Sequence, residues 1–164
     1  MLRGYSDSDF AAAVDYRRSS SSFVFVVNGS AVCWTSKQQS LISRSTHNAA
    51  YIGLAAATYE ASWLCELIHA LDPGDNQELH QIGLLGDNQS AIATAHAPLD
   101  AVSSPRTKHI DVRFHIIREA ITNCEIMLSF IRTHSMIAEC LTKALPQPTF
   151  ERHRSWISHT RRTD

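Results

Sequence analysis

The sequence has no long hydrophobic run and no excess of charge of either sign. No stretch approaches the roughly 18 apolar residues of a membrane-spanning helix, and the polar start MLRGYSDSDF does not fit a signal peptide. Fifteen Lys and Arg residues balance 16 Asp and Glu residues, which excludes a generally polybasic protein. The 164 residues, 44% of them hydrophobic, predict one ordinary folded domain. We therefore expect a soluble intracellular protein that makes no membrane contact.

The four cysteines are widely spaced and include no CxxC pair. They are Cys33, Cys65, Cys124 and Cys140. This spacing argues against a structural zinc site. Without a secretory context, free thiols are expected rather than disulfides.

The first part of the chain predicts three antiparallel strands. Strands are expected over 2–6, 23–27 and 31–36, because these runs are rich in aromatic and β-branched residues. Asn28-Gly29 lies between the second and third runs. Both residues tolerate positive φ, so the pair predicts a tight hairpin turn.

The rest of the chain predicts helices that alternate with single strands. The predicted elements are a long helix over 46–71 capped by Ser45 or Thr46, a strand over 80–86, helices over 87–95 and 110–122, a strand over 125–131, a short helix over 136–144 and a last helix over 148–158. Strands paired first as hairpins and then linked by helices imply a mixed sheet with helices on its faces. The sequence thus predicts an α/β fold of the mixed α+β kind.

Two aspartates lie at predicted strand ends. Asp7 is in the first strand, with Asp9 as a weaker candidate, and Asp87 leaves the buried strand over 80–86. Acidic residues at such places can supply oxygen ligands to a hard cation, and an Asp after a buried strand often points into a functional crevice. The alternatives are a solvated strand end for Asp7 and a helix cap for Asp87.

Two further charged segments have both a functional and a simpler interpretation. The segment from Arg106 to Arg113, which includes Lys108, suits contact with phosphates, or else begins a solvated helix. Glu139 lies one turn before Lys143, and the simple interpretation is an exposed i,i+4 ion pair.

Taken together, these segments resemble the ribonuclease H domain of Ty1/copia-type retrotransposon Pol polyproteins. The matching segments are GYSDSDFA at 4–11, DYRRSSSS at 15–22, WTSKQQS at 34–40, DNQSAIA at 87–93, RTKHIDVRFHIIRE at 106–119 and LTKALPQPTFE at 141–151. The similarity covers nearly the whole chain. It implies a ribonuclease H-like domain over 1–146, with a five-stranded mixed sheet flanked by helices, and a C-terminal helix and basic tail over 147–164.

The resemblance also implies an activity and a metal site. Members of this family cut the RNA strand of RNA–DNA hybrids with two divalent metals, usually Mg²⁺, held by four carboxylates. Three of the four positions match acids here, and we expect Asp7, Asp87 and Glu139 to be the catalytic and metal-binding residues. The family has Asp where this chain has Glu139, so its carboxylate is one methylene longer.

The fourth carboxylate is missing. The Glu-Ala-Glu-Tyr segment of the family corresponds to Asn48-Ala49-Ala50-Tyr51, and Ala50 cannot coordinate a metal. Ala11-Ala12-Ala13 replaces Ala-Gly-Asp, and Ser22 replaces Gly. His134 is a loose match to a loop histidine that some ribonucleases H use in product release, although an exposed structural His is the simpler interpretation.

Three functions follow from this comparison. The first is an active hybrid-specific endonuclease, and the second is a degenerate copy that binds nucleic acid with little catalysis. The third is an interaction module with no nucleic-acid role. We favour the second, with RNA–DNA hybrid or duplex as partner and no small-molecule cofactor. The phosphate contacts are expected from Arg106, Lys108 and Arg113, and from Arg152, Arg154, Arg161 and Arg162 near the C-terminus. Because the chain begins at Met1 with no polymerase before it, we expect a genomic remnant.

Overall fold

The computed structural model describes residues 2–11, 17–71, 81–97 and 108–158. The elements are β1 (Leu2–Asp9), β2 (Ser20–Val27), β3 (Ser30–Gln38), α1 (Thr46–Leu71), β4 (Ile82–Gly86), α2 (Gln89–His96), α3 (Lys108–Thr122), β5 (Ile126–Phe130), two 3₁₀ helices (Thr133–Ser135 and Ile137–Leu141) and α4 (Gln147–Ile157). Their order follows the predicted order, and the bounds of α1 are those predicted.

The five strands form one mixed sheet in the order β3-β2-β1-β4-β5. β2 pairs antiparallel with β1 and β3, whereas β4 pairs parallel with β1 and β5. The mixed sheet expected from the sequence is confirmed. Because β1 and β4 run in the same direction, their carboxyl ends lie at the same edge of the sheet.

The turn between β2 and β3 is the predicted tight hairpin. Asn28 has a φ of 51° and Gly29 a φ of 82°. Both central residues of a two-residue type I′ turn need positive φ, which Asn and Gly adopt at low cost.

α1 covers one face of the sheet and comes very close to β1. It begins at the predicted cap, where the Ser45 hydroxyl accepts a hydrogen bond from the Asn48 N–H at 3.1 Å. Further along, a Cβ on Gly53 would collide with the Ser8 hydroxyl. The absence of a side chain at Gly53 therefore allows α1 to lie against β1 next to Asp7.

The other face is covered by the two 3₁₀ helices and α4. The predicted helix over 136–144 is wrong, because residues Ile137–Leu141 form a 3₁₀ helix instead. Met136, Ile137 and Ala138 are all buried against Val24 and Val26 of β2. Three consecutive buried residues do not fit one face of a surface α-helix, whose core-facing residues recur every three or four positions.

α4 packs against the second 3₁₀ helix and β3. The proposed boundary between 1–146 and 147–164 stays a prediction. All four cysteines are free, as predicted. Within the described ranges, no helix is long and apolar enough to cross a membrane.

Candidate active site

Asp7 and Asp87 lie at the carboxyl ends of neighbouring parallel strands. Ser6 of β1 is the register partner of Gly86 of β4, so the two aspartates are the next residues along each strand. Burial raises the pKa of the Asp7 carboxyl, and the negative charge of Asp87 raises it further. The two candidate aspartates therefore lie at one edge of the sheet.

Each aspartate accepts a hydrogen bond from a threonine. The Thr142 hydroxyl donates to Asp7 Oδ2 at 2.5 Å, and the Thr133 hydroxyl donates to Asp87 Oδ2 at 2.9 Å. Sequence analysis missed both threonines. Thr142 lies in the Leu-Thr-Lys block that supported the resemblance, but nothing in the sequence near Thr133 indicates its role.

Asp87 does not cap the following helix. The N-cap of α2 is Asn88, whose Oδ1 accepts a hydrogen bond from the Ala91 N–H at 3.0 Å. The capping interpretation of Asp87 is therefore wrong. The Asp87 carboxylate instead accepts the hydrogen bond from the Thr133 hydroxyl, and it lies at the same edge of the sheet as Asp7.

Glu139 is buried, and its partner is Lys143. The residue is only 8% exposed, and the Lys143 ammonium lies 2.9 Å from Glu139 Oε1. The hydrogen bond to Glu139 raises the pKa of Lys143, and the charges of Asp7 and Asp9 add to this effect. The interpretation of a purely exposed ion pair is thus wrong, since the ammonium lies in the field of three acids.

Two serines hold the second 3₁₀ helix, and with it Glu139, on the sheet. The hydroxyl of Ser22 in β2 donates to the Ala138 carbonyl at 2.8 Å, and this hydrogen bond is buried. The Ser36 hydroxyl in β3 donates to the Leu141 carbonyl at 2.6 Å on the exposed side. Ser22, which replaces a family glycine, therefore helps to position Glu139.

Ala50 lies on α1, one turn before Gly53. Its methyl group packs against the core between α1 and the sheet. Residues three apart share a helix face, and a Cβ built on Gly53 comes 3.5 Å from the Asp7 carbonyl oxygen. Ala50 therefore lies on the side of α1 that packs against the sheet, and it supplies no polar atom there.

The curated relatives include long transposon polyproteins. The chain is 36% identical over 151 residues to the retrovirus-related Pol polyprotein from transposon TNT 1-94 of Nicotiana tabacum, covering 92% of the chain and 11% of the relative. It is 29% identical over 160 residues to the corresponding polyprotein from transposon RE1 of Arabidopsis thaliana, covering 98% of the chain and 10% of the relative. The chain therefore spans about a tenth of their length. No protein-family model matches it.

Solved structures similar to this one include ribonucleases H. The N-terminal RNase H domain of a Mycobacterium tuberculosis protein superposes with a TM-score of 0.60 at 11% identity, covering 94% of this chain and 96% of that one. LC11-RNase H1 in complex with RNA/DNA hybrid gives 0.55 at 12% identity, covering 86% and 93%. The chain has a ribonuclease H-like fold and is homologous to part of these retrotransposon Pol polyproteins. At these identities the structural likeness establishes the fold.

The acids of this ribonuclease H-like domain do not fit a two-metal centre. In the part of the chain that the structure describes, no three His, Cys, Asp or Glu residues are grouped so as to hold a metal ion. Asp7 and Asp87 are each bonded to a threonine, and Glu139 is paired with Lys143. Where the fourth acid is expected, Ala50 presents a methyl group.

The predicted nucleic-acid-binding residues are not shown as one surface. Arg106 lies outside the described residues, and Lys108 is the first residue of α3. Arg113 is half-buried, and one of its terminal nitrogens is buried without a hydrogen-bond partner among the described residues. Their role in binding phosphates stays a prediction.

Proposed function

We propose that this ribonuclease H-like domain binds RNA–DNA hybrid or duplex nucleic acid and has weak or no hydrolytic activity. The observation that carries the proposal is Ala50, which places a methyl group at the position where the family has a carboxylate. Asp7, Asp87 and Glu139 remain as the residues of the ancestral catalytic site.

The binding half of the proposal rests on fold and homology. LC11-RNase H1, which shares the fold, forms a complex with RNA/DNA hybrid. The relatives are retrovirus-related Pol polyproteins. The shared fold supports the proposal that this chain binds the same class of nucleic acid.

The catalytic half rests on charge. Two Mg²⁺ ions held close together repel each other, and shared anionic ligands are needed to offset that repulsion. Ala50 supplies no such ligand. Glu139 carries its carboxylate one methylene further out than Asp, and that carboxylate is bound to Lys143. Mg²⁺ requires near-octahedral oxygen ligands. The changes at positions 50 and 139 are therefore both expected to weaken the binding of two Mg²⁺ ions.

Hydrolysis of a labelled RNA–DNA hybrid tests the catalytic half. We expect little or no cleavage by the parent chain in Mg²⁺ or Mn²⁺, and measurable cleavage by Ala50→Glu. Adding Glu139→Asp is expected to raise the rate further. The matched control is Ala56→Glu, which adds the same charge to an exposed position of α1 and is expected to stay inactive.

Strong Mg²⁺-dependent cleavage by the parent, abolished by Asp7→Asn, would contradict the proposed impairment. If the Ala50→Glu/Glu139→Asp double variant folds but does not cleave, Ala50 is not the decisive change, and the departures around Ala11 become the better explanation.

Salt dependence tests the binding half. Contacts with phosphates release counterions, so the logarithm of the binding constant falls linearly with the logarithm of the salt concentration. Replacing Arg106, Lys108 and Arg113 together by Ala is expected to flatten that slope. An unchanged slope would place the nucleic-acid face elsewhere, and no binding of hybrid or duplex at low salt would overturn the binding proposal.

A further inference from the structure

A cleft of about 230 Å³ opens on the sheet face that α4 covers. Arg3 and Tyr5 of β1 form one wall, and α4 with the first 3₁₀ helix forms the other. The volume is below the roughly 300–1,000 Å³ of clefts that hold drug-sized ligands, so the cleft suits a small ligand. Alternate residues of a strand share a face, which places Arg3 and Tyr5 on the same face as Asp7 but displaced towards the start of β1.

The cleft is positively charged. Arg3 and Arg152 both line it, and none of its lining residues is acidic. In the described part of the chain, the only ion pair is that between Glu139 and Lys143, so neither arginine has an acidic partner there. Arg152 donates one hydrogen bond to the His134 carbonyl at 2.9 Å, which leaves most of its five N–H donors free for a ligand. Two unpaired guanidinium groups facing one cleft favour an anion, and phosphate matches their geometry.

A histidine forms the buried part of the lining. His153 is 1% exposed, and its Nε2 lies 3.3 Å from the His134 carbonyl. The carbonyl accepts this hydrogen bond, so Nε2 of His153 is the donor. The Arg152 guanidinium donates to the same carbonyl, so this one carbonyl holds both side chains at this wall of the cleft.

The rim of the cleft carries an exposed indole. Trp156 lines the cleft and is nevertheless 60% exposed. An exposed indole beside cationic side chains is a stacking platform for a nucleobase, as in proteins that bind single-stranded nucleic acids. The cleft therefore combines two phosphate-binding groups with a flat aromatic surface.

We propose that this cleft binds a single nucleotide, with its phosphate on Arg3 and Arg152 and its base stacked on Trp156. The site does not depend on the acids around Asp7, so it is independent of hybrid cleavage. The nucleotide can be free in solution or the 5′-phosphorylated end of a strand, because both present the same phosphate and base.

Calorimetric titration of the full chain with AMP, adenosine and inorganic phosphate tests the proposal. We expect AMP to bind at least about tenfold more tightly than either fragment, because only AMP uses both halves of the cleft. Arg3→Gln and Arg152→Gln are each expected to weaken AMP binding about tenfold or more. Trp156→Ala should weaken binding of AMP but not of phosphate. The matched control is Arg44→Gln, which removes the same charge at an exposed position that does not line the cleft.

The proposal is overturned if AMP does not bind, or if Arg44→Gln weakens binding as much as Arg152→Gln. Competition by short oligonucleotides with and without a 5′-phosphate then identifies the source. Displacement of AMP by the phosphorylated oligonucleotide alone assigns the site to strand ends. Displacement by neither assigns it to free nucleotides.

Discussion

The hydrogen bond from Ser22 to Ala138 makes a measurable contribution to stability. It joins residues 116 positions apart and is buried, with Ser22 only 1% exposed. Ser22→Ala removes the donor and leaves the Ala138 carbonyl buried without it, which costs about 1–3 kcal/mol. In a domain of this size each kcal/mol lowers the Tm by roughly 2–4 °C. A loss near 2 kcal/mol therefore predicts a Tm lower by about 4–8 °C.

Thermal and urea unfolding of Ser22→Ala and Ser36→Ala provide a matched comparison. Ser36 donates to the same 3₁₀ helix, at the Leu141 carbonyl, but its hydrogen bond is exposed and water can replace it. We expect Ser36→Ala to cost less than about 0.5 kcal/mol. Faster amide exchange at Thr142 is expected only in Ser22→Ala, because its amide belongs to the loosened helix. If the two variants are equally stable, burial of the Ser22 hydrogen bond is not what anchors Glu139.

Two further predictions concern titratable groups on α1 and in the sheet. Burial lowers the pKa of His47, so the folded state binds fewer protons than the unfolded state below the ordinary pKa of 6.5. Stability is therefore expected to fall as the pH drops from 6.5 through the lowered pKa, and urea unfolding of His47→Gln should show a weaker dependence. Burial also raises the pKa of Cys33 to about 12, with the Glu60 hydrogen bond and charge adding to it. Iodoacetamide at about pH 8 should modify the exposed Cys124 well before Cys33, as followed by mass spectrometry, and the reverse order would contradict this reasoning.

Elements with a strong local signal were predicted from the sequence. The hairpin depends on two neighbouring residues, Asn28 and Gly29, whose φ preferences are a property of the residues themselves. α1 combines a cap at Ser45, a long amphipathic pattern and a turn signal after Leu71. In such cases the information that determines the structure lies within a few residues.

The contacts around the acids could not be predicted in the same way. Thr133 meets Asp87 across 46 residues, and Thr142 meets Asp7 across 135. Such pairs follow from the strand order, which no local pattern specifies. Arg113 is a second position that local sequence did not predict. Its charge indicated a surface position, whereas in the structure it is half-buried. Asp7 and Asp87 were candidates from their places at strand ends, whereas Glu139 was assigned to the site only through the resemblance to a known family.

The catalytic and the structural demands on this site act in opposite directions. Asp7 and Asp87 follow directly from the register of β1 and β4, and each has a threonine donor, so the fold accommodates them even without a metal. A glutamate at position 50 would add a third negative charge on the side of α1 that packs against the sheet, where it would be partly buried. Without a cation, like charges at such a place destabilise the folded state. Ala50 removes that cost together with the metal ligand, as expected for a chain under pressure for stability rather than catalysis.

In metal-free buffer Ala50→Glu should therefore be less stable than Ala56→Glu in urea unfolding, and added Mg²⁺ should narrow the difference in stability. If the two variants are equally stable without metal, the acids at this edge do not repel a carboxylate at position 50, and relief of charge repulsion does not explain Ala50.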